Sequence, residues 1–445
     1  MPKPLALAAA LLVAAPALAQ ADRPAGPAPA APTDLAERVD ALVAEVAPRV
    51  VAYRRHVHEH PELSNREVET AAYVAEHLRG LGVEVEAGVA RTGVVGVLRG
   101  GRPGPTVALR ADMDALPVTE RVDLPFASTV TTVYNGMEVG VMHACGHDAH
   151  VGMLMGVAEV LAAVRDELPG TVVFLFQPAE EGAPAGEAPA GAELMVMEGA
   201  IDGVDAVFGL HVTSTHEVGE LMTRPGAMMA SADNLEIVVR GKQTHGAYPW
   251  GGVDPVATSA LVVTGLQTIV SRQMDLTKAP AVVTIGRIDG GVRSNIIPDS
   301  VAMIGTIRAL DGAMRSELHE RIRRTATSIA ESQGATATVT IADEYGYPVT
   351  ANDAALLDRM TPTLRRVAGD GLDTDVAPVL GAEDFSYYAN TVPGLFLWLG
   401  IRTPGAGRDL FPPNHSPLFR IDEDALPLGV RALAQLAVGY LEGEG

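Results

Sequence analysis

TVALRADMD, residues 106–114, reads as a short β-run that ends in Asp112-Met113-Asp114. Carboxylates at the C-terminal end of a strand are where open α/β sheets carry their chemistry. The same design recurs downstream. Residues 171–176 read as a strand that delivers Gln177-Pro178-Ala179-Glu180-Glu181 to a Gly/Pro/Ala-rich loop, and residues 206–210 read as a strand that delivers His211. Between these strands lie helical stretches: 151–165, led in by His143 to His150, and a shorter one near 192–198. This alternation predicts an α/β fold, a mixed, mostly parallel sheet flanked by helices, with active residues along one edge.

Working outward toward the N-terminus, residues 34–59 place Leu35, Val39, Leu42 and Val46 at helical spacing. A second helix follows, opened by Ser64 with Glu67 three residues on as a capping box and stopped at Gly80 or Gly82. Strand-like runs at 83–86 and 93–98 lead into the first stretch. Toward the C-terminus the character changes after about Met222. Strands are expected at 235–239, 281–288, 301–308 and 336–341, with helices at 254–272 and 312–333. That β-α-β-β-α-β order predicts an inserted α+β, ferredoxin-like domain, whose second helix lays Met314, Leu318, Ile322 and Ile329 on the sheet. The expected division is residues 34–222 with 345–445 as one domain and 223–344 as the insertion.

A chain of 445 residues, 47% hydrophobic, is long enough for two cores. Its net charge of −22 excludes nucleic acid and anionic membrane surfaces as expected partners, since both demand a basic footprint. Lys3, the apolar stretch from Leu5 to Val13 and Ala17-Leu18-Ala19 read as a secretory signal, residues 1–19, followed by an Ala/Pro-rich leader, 20–33. A membrane anchor fits less well, because the apolar stretch is short and broken by Pro16. No later stretch spans a bilayer, so the expectation is an exported chain, periplasmic or secreted. It carries a single cysteine, Cys145, and no intrachain disulfide can form.

Five residues of types suited to a first-row divalent metal stand in turn-rich settings or just past expected strands: Cys145, His147, Glu181, His211 and His415. Cys-x-His lets two donors reach one site from an extended segment. Five protein ligands exceed what one catalytic metal uses, which points to two divalent ions, zinc or manganese, sharing a bridge. Glu180 and Glu181 cannot both point the same way on an extended chain, so one is left to face a water as general base. His56, His58 and His60 precede Pro61 at a helix end and read as structural, His143 and His150 as supporting residues, and His216 and His319 as surface residues.

Ten stretches follow one another along the chain: HEHPELS (58–64), LRADMDALP (109–117), MHACGHDAH (142–150), FQPAEEG (176–182), GLHV (209–212), GKQTHGAYPWGGVDP (241–255), SNIIPD (294–299), GTIRAL (305–310), GAEDFS (381–386) and NHSP (414–417). In them the chain resembles a known family, the cocatalytic metallopeptidases that include aminoacylases and glutamate carboxypeptidases. Within it the resemblance is to the amidohydrolase branch of hippurate hydrolases and indole-acetyl-amino-acid hydrolases. The resemblance implies a two-metal site with Cys145 bridging, His147 on one metal, Glu181 and His415 on the other, His211 completing the set and Glu180 as base and proton donor. It further implies that the insertion is a lid and dimerisation surface giving a homodimer, and that His245 polarises the substrate carbonyl. Asn295 and Arg308 match positions that contact the substrate, and Asp114 matches the carboxylate that orients a metal ligand. The departures are Gln243-Thr244 and Trp250 in the lid motif and a long loop over 182–191, both expected at the cleft.

The implied reaction is hydrolysis of the amide bond of an N-acyl amino acid or related small amide by a metal-bound water. A dipeptidase or carboxypeptidase of the same architecture, taking short peptides, is the nearest alternative. A non-catalytic metal- or peptide-binding protein is the alternative from another class, and Glu180 with His245 counts against it, since neither is needed merely to hold metal.

Overall fold

The computed structural model describes residues 34–444, so the signal and leader lie outside the described residues. Eight strands form the larger sheet. Its four central strands, Pro169–Gln177, Arg102–Asp112, Ala206–Glu217 and Gly394–Arg402, lie side by side in that order and run parallel. Gly93–Arg99 and Glu84–Val89 extend one side as antiparallel strands, and Leu221–Met222 with Leu372–Asp373 finish the other. Arg102–Asp112 is buried without a break from Val107 onward, as befits a strand covered on both faces.

Alternation along these strands fills two layers. Leu109, Phe174, Phe208 and Leu397 point to one face, where the helices Leu35–Glu59, His147–Ala163 and Leu426–Glu442 pack. Val173, Leu175, Val207 and Phe396 point to the other, under the short helices Gly191–Met197 and Ser386–Ala389. The mixed, mostly parallel sheet flanked by helices is therefore as the strand–helix alternation leads one to expect.

A second sheet is separate and antiparallel, with strands Ala281–Asp289, Ser300–Ala309, Ser231–Arg240 and Thr336–Tyr347 in that spatial order. The helices Pro255–Gln273 and Gly312–Ser332 cover it in β-α-β-β-α-β sequence and share its core of Leu235, Ile237, Val262, Leu266, Leu318 and Ile322. Full burial of each such aliphatic side chain contributes roughly 1.5–3 kcal/mol. The chain enters this unit through Gly226–Met229 and leaves through Thr350–Asn352, and these two segments pair with each other as a narrow neck.

Two local expectations are corrected. The second helix begins at Val68, not at Ser64, and Glu67 makes no cap hydrogen bond to it. Glu62 takes the free N–H groups of Val68, Glu69 and Thr70 instead, and Ser64 donates its hydroxyl to Asp114. The third helix starts four residues early, at His147, because Gly146 turns the chain directly into it.

Candidate active site

Gly146 adopts a left-handed conformation, φ 99°, and a Cβ there would lie 2.3 Å from Val212 Cγ2, so only glycine fits. Cys145 and His147 therefore reach inward from either side of a tight turn at a helix start, not from the extended segment expected of a Cys-x-His pair. Cys145 Sγ lies 3.4 Å from His211 Nε2 and 3.3 Å from His415 Nε2. His211 is not past the end of its strand but within Ala206–Glu217, which runs longer than its apolar residues suggest.

Each buried imidazole is oriented by a second group. His147 Nδ1 donates to the Asp114 carbonyl at 2.8 Å, with Asp114 Oδ1 at 3.2 Å, and His211 Nδ1 donates to the Val212 carbonyl at 2.7 Å. Each ring thus presents its Nε2 to the neighbouring donors, the orientation that metal-binding histidines use. His147 Nε2 is buried and has no hydrogen-bond partner, although Glu180 Oε2 stands 3.8 Å away. His415 is exposed, also left-handed at φ 72°, and its backbone N–H donates to the Ala144 carbonyl at 2.7 Å while Nε2 meets Glu181 Oε1 at 3.1 Å.

Glu180 and Glu181 sit in a turn, not on an extended chain. Both reach the same place: their carboxylates and His147 lie within 4.8 Å of one another. Cys145, His147 and His211 form a second group within that distance, and Cys145, Glu181 and His415 a third. All five expected ligands are gathered, and the thiol belongs to two of the triads. Thiolate, imidazole and carboxylate in two overlapping sets, with an orphaned ring nitrogen between them, fit two adjacent divalent ions.

Beneath these donors is a charged floor the sequence reading did not assign. The fully buried Arg110 donates to Gln177, Asp112, Glu383 and Asp384, each at 2.7–2.8 Å. Asp112 in turn binds His150 Nδ1 at 2.5 Å, and His150 Nε2 accepts the Val212 N–H at 3.0 Å. Burial, with Glu383, Glu181 and Asp384 close by, pushes the Glu180 carboxyl well above its usual range. Burial and the Glu181 and Glu180 carboxylates likewise push up the Cys145 thiol. Against the cost of burial, Asp112 and Asp114 raise His147 to about 10. So many acids around one thiol are electrostatically crowded, and divalent cations relieve that crowding. An arginine inside an otherwise apolar strand was the available signal for this floor.

The donors open onto a cavity of about 550 Å³, also lined by Arg308, Tyr347, Trp398, Met229 and Glu383. Arg308 is half-buried and has no hydrogen-bond or ion-pair partner among the described residues. Trp398 packs edge-on against His211, ring centres 5.2 Å apart.

His245 and Asn295 are not part of this lining. They stand together on a two-stranded ribbon, Thr244–His245 with Ile296–Ile297, where Gly246 N–H donates to the Asn295 carbonyl, and both are exposed. Trp250 is 80% exposed beside Tyr248, away from the cavity. The 182–191 loop does not line it either. Glu187 clamps that loop to Arg66 and Asn65 at 2.6 and 2.9 Å. Among the other histidines, His58 is buried between Asp148 and Glu120, which makes it structural as expected. His319 is more than a surface residue, since it binds the buried Asp233 at 2.9 Å.

The family model described as peptidase family M20/M25/M40 matches residues 108–438. Thermostable carboxypeptidase 1 of Saccharolobus solfataricus is 43% identical over 408 residues, covering 92% of this chain and 99% of that protein. The IAA-amino acid hydrolase ILR1-like 2 of Arabidopsis thaliana is 40% identical over 400 residues, covering 89% and 86%. Among solved structures, the Bacillus subtilis YXEP protein, described as a dinuclear metal binding peptidase from the M20 family, superposes with a TM-score of 0.73. It is 36% identical, covering 90% of this chain and 99% of that one.

Proposed function

This chain belongs to peptidase family M20/M25/M40, and from that premise we propose the division of labour by which it hydrolyses amide bonds. It is a metal-dependent hydrolase of amide or peptide bonds, with a centre for two divalent metal ions. Cys145, His147 and His211 would hold one ion, and Cys145, Glu181 and His415 the other. Bound there, the ions would supply Lewis acidity to the scissile carbonyl and an acidified water. The observation that carries this assignment is the membership of Cys145 in two donor triads at once.

Glu180 is the remaining carboxylate of the His147 group. As general base it takes the proton of the attacking water and passes it to the leaving amine. Asp114 orients His147 through its ring N–H and holds the Glu181 backbone N–H at 2.9 Å. Arg308 supplies the unpaired cation that a free substrate carboxylate requires. The substrate is an N-acyl amino acid. The 40% identity to a hydrolase of IAA-amino acids supports this, and the carboxypeptidase relative at 43% supports a second reading in which a short peptide offers the same C-terminal carboxylate.

The unit over 223–344 is a lid and the surface of a homodimer. In support, His245 and Asn295 face solvent on it, and Leu261, Ile288, Val292 and Ile304 are exposed there. A second copy, or closure of the lid, would bring His245 to the carbonyl oxygen. The leader reading makes the chain exported, and N-terminal sequencing of protein from the cell exterior or periplasm should begin at Gln20. A metal-supplemented hydrolysis screen of acyl-amino acids against dipeptides and carboxypeptidase substrates tests the substrate assignment. Turnover confined to peptides would replace it with the second reading.

A further inference from the structure

The base, Glu180, leaves the strand Pro169–Gln177 in an unusual way. Ala179 just before it is buried and left-handed, φ 51°, a conformation that a residue with a Cβ adopts only when its surroundings insist. Two peptide groups of this turn, 178–179 and 180–181, are held by side chains from three distant segments. The Ala179 N–H donates to Glu67 Oε1 at 2.9 Å, the Glu180 carbonyl accepts from the Tyr347 hydroxyl at 2.5 Å, and the Glu181 N–H donates to Asp114 Oδ2. Asp114 also touches His147, and Tyr347 lines the cavity, so each has a direct part in the site. Glu67 touches none of the metal donors.

Glu67 is fully buried, and burying a carboxylate is costly unless its oxygens are matched to donors. A helix cap does not account for it, because Glu62 already serves the first N–H groups of Val68–Gly80. Its oxygens are spent elsewhere. Oε1 takes the N–H groups of Ala179 and of Asn65, itself left-handed at φ 60°, and Oε2 takes the Thr92 hydroxyl at 2.5 Å. One carboxylate therefore ties the loop before the second helix to the turn that carries the base.

We propose that Glu67 is a positioning residue for hydrolysis: its carboxylate holds Ala179 left-handed and thereby aims the Glu180 side chain at the water. This rests on Glu180 being the base. A misplaced base slows chemistry without weakening substrate binding, because reacting atoms tolerate little displacement.

The test is kinetic, with bound metal measured on every variant. In the metal-loaded enzyme, Glu67→Met, which keeps the volume but offers no oxygen to the Ala179 N–H, should lower kcat at least about tenfold while KM and metal content stay within about twofold. Adding Ala179→Gly should restore most of that loss, since glycine enters the left-handed region unaided. A merely structural Glu67 predicts no rescue at position 179. Unchanged kcat in Glu67→Met, or a loss that Ala179→Gly leaves untouched, overturns the proposal. Should Glu67→Met fail to fold, Ala179→Val with Glu67 intact takes its place. The β-branched side chain resists the left-handed turn, so kcat should fall, and full activity would overturn the proposal. Glu180→Gln, run in parallel, separates the two ideas. Full activity there removes the base and this inference with it, whereas an inactive Glu180→Gln beside a fully active Glu67→Met removes only the positioning role.

Discussion

At the edge of the large sheet, His147 and His211 are buried and each has one ring nitrogen committed to a backbone carbonyl. On the ribbon of the small unit, His245 and Asn295 are exposed, and His245 Nδ1 accepts only the nearby Ala247 N–H. The two regions differ in where orientation comes from. Donors at the edge are aimed by the fold that buries them, so a single chain holds them ready for metal. The ribbon strands are two residues long and bury no core of their own, so whatever His245 contributes must come from a movement or a second copy.

Substitution at the edge should be all-or-none. Cys145→Ala is expected to lose bound metal and with it all measurable turnover, because the shared ligand of both triads is gone. Metal analysis after dialysis reads this directly, and retention of two ions per chain would contradict bridging. Glu180→Gln comes next. It should keep both ions and lose at least about a hundredfold in kcat, the scale of a general base removed from a site otherwise intact. Together the two variants divide the edge into what binds and what reacts.

Much of this edge was legible in the chain itself. Cysteine, histidine and glutamate at 145, 147, 181, 211 and 415 stood out because metal chemistry demands those residue types, and strand ends gave them a common edge. What was not legible was how the backbone presents them. Gly146 as a left-handed hinge depends on Val212 lying against it, and the turn at Ala179 depends on Glu67, more than a hundred residues earlier. Ser64 and Glu67 have capping-box spacing, yet tertiary partners claim both side chains, Asp114 the first and Thr92 with Ala179 the second. The 182–191 loop and Trp250 looked like cleft elements from position alone, and the clamp between Glu187 and Arg66 that draws the loop aside leaves no local trace. For the small unit, period and order sufficed, because its strands and helices pack mostly on one another.

The ribbon invites a weaker and more conditional loss. His245→Ala should leave metal content and folding untouched, since the side chain is exposed, and lower kcat by about tenfold to a hundredfold, less than a preformed oxyanion donor. Mixing His245→Ala with Glu180→Gln protein sharpens the contrast. Recovery of activity in mixed dimers would mean that the ribbon serves the edge of another copy. Activity no greater than the sum of the parts, in a mixture shown to exchange subunits, would leave lid closure within one chain.

Arg308 lies between these extremes. It sits on Ser300–Ala309, paired on both sides by Ala232 and Val282, so its backbone is as fixed as the edge, yet its guanidinium has no partner among the described residues. A cation that lines the cavity unpaired, in a chain of net charge −22, has a use only when an anion arrives. A charge-assisted hydrogen bond contributes about 1.5–3 kcal/mol. Arg308→Ala should therefore raise KM roughly tenfold for a substrate with a free carboxylate while kcat changes little. With the same substrate amidated at that carboxylate, wild type and variant should converge. Equal losses on both substrates would mean that Arg308 shapes the cavity without reading the charge, and the carboxylate would then have to be met by Asn295 or another group brought in from the ribbon.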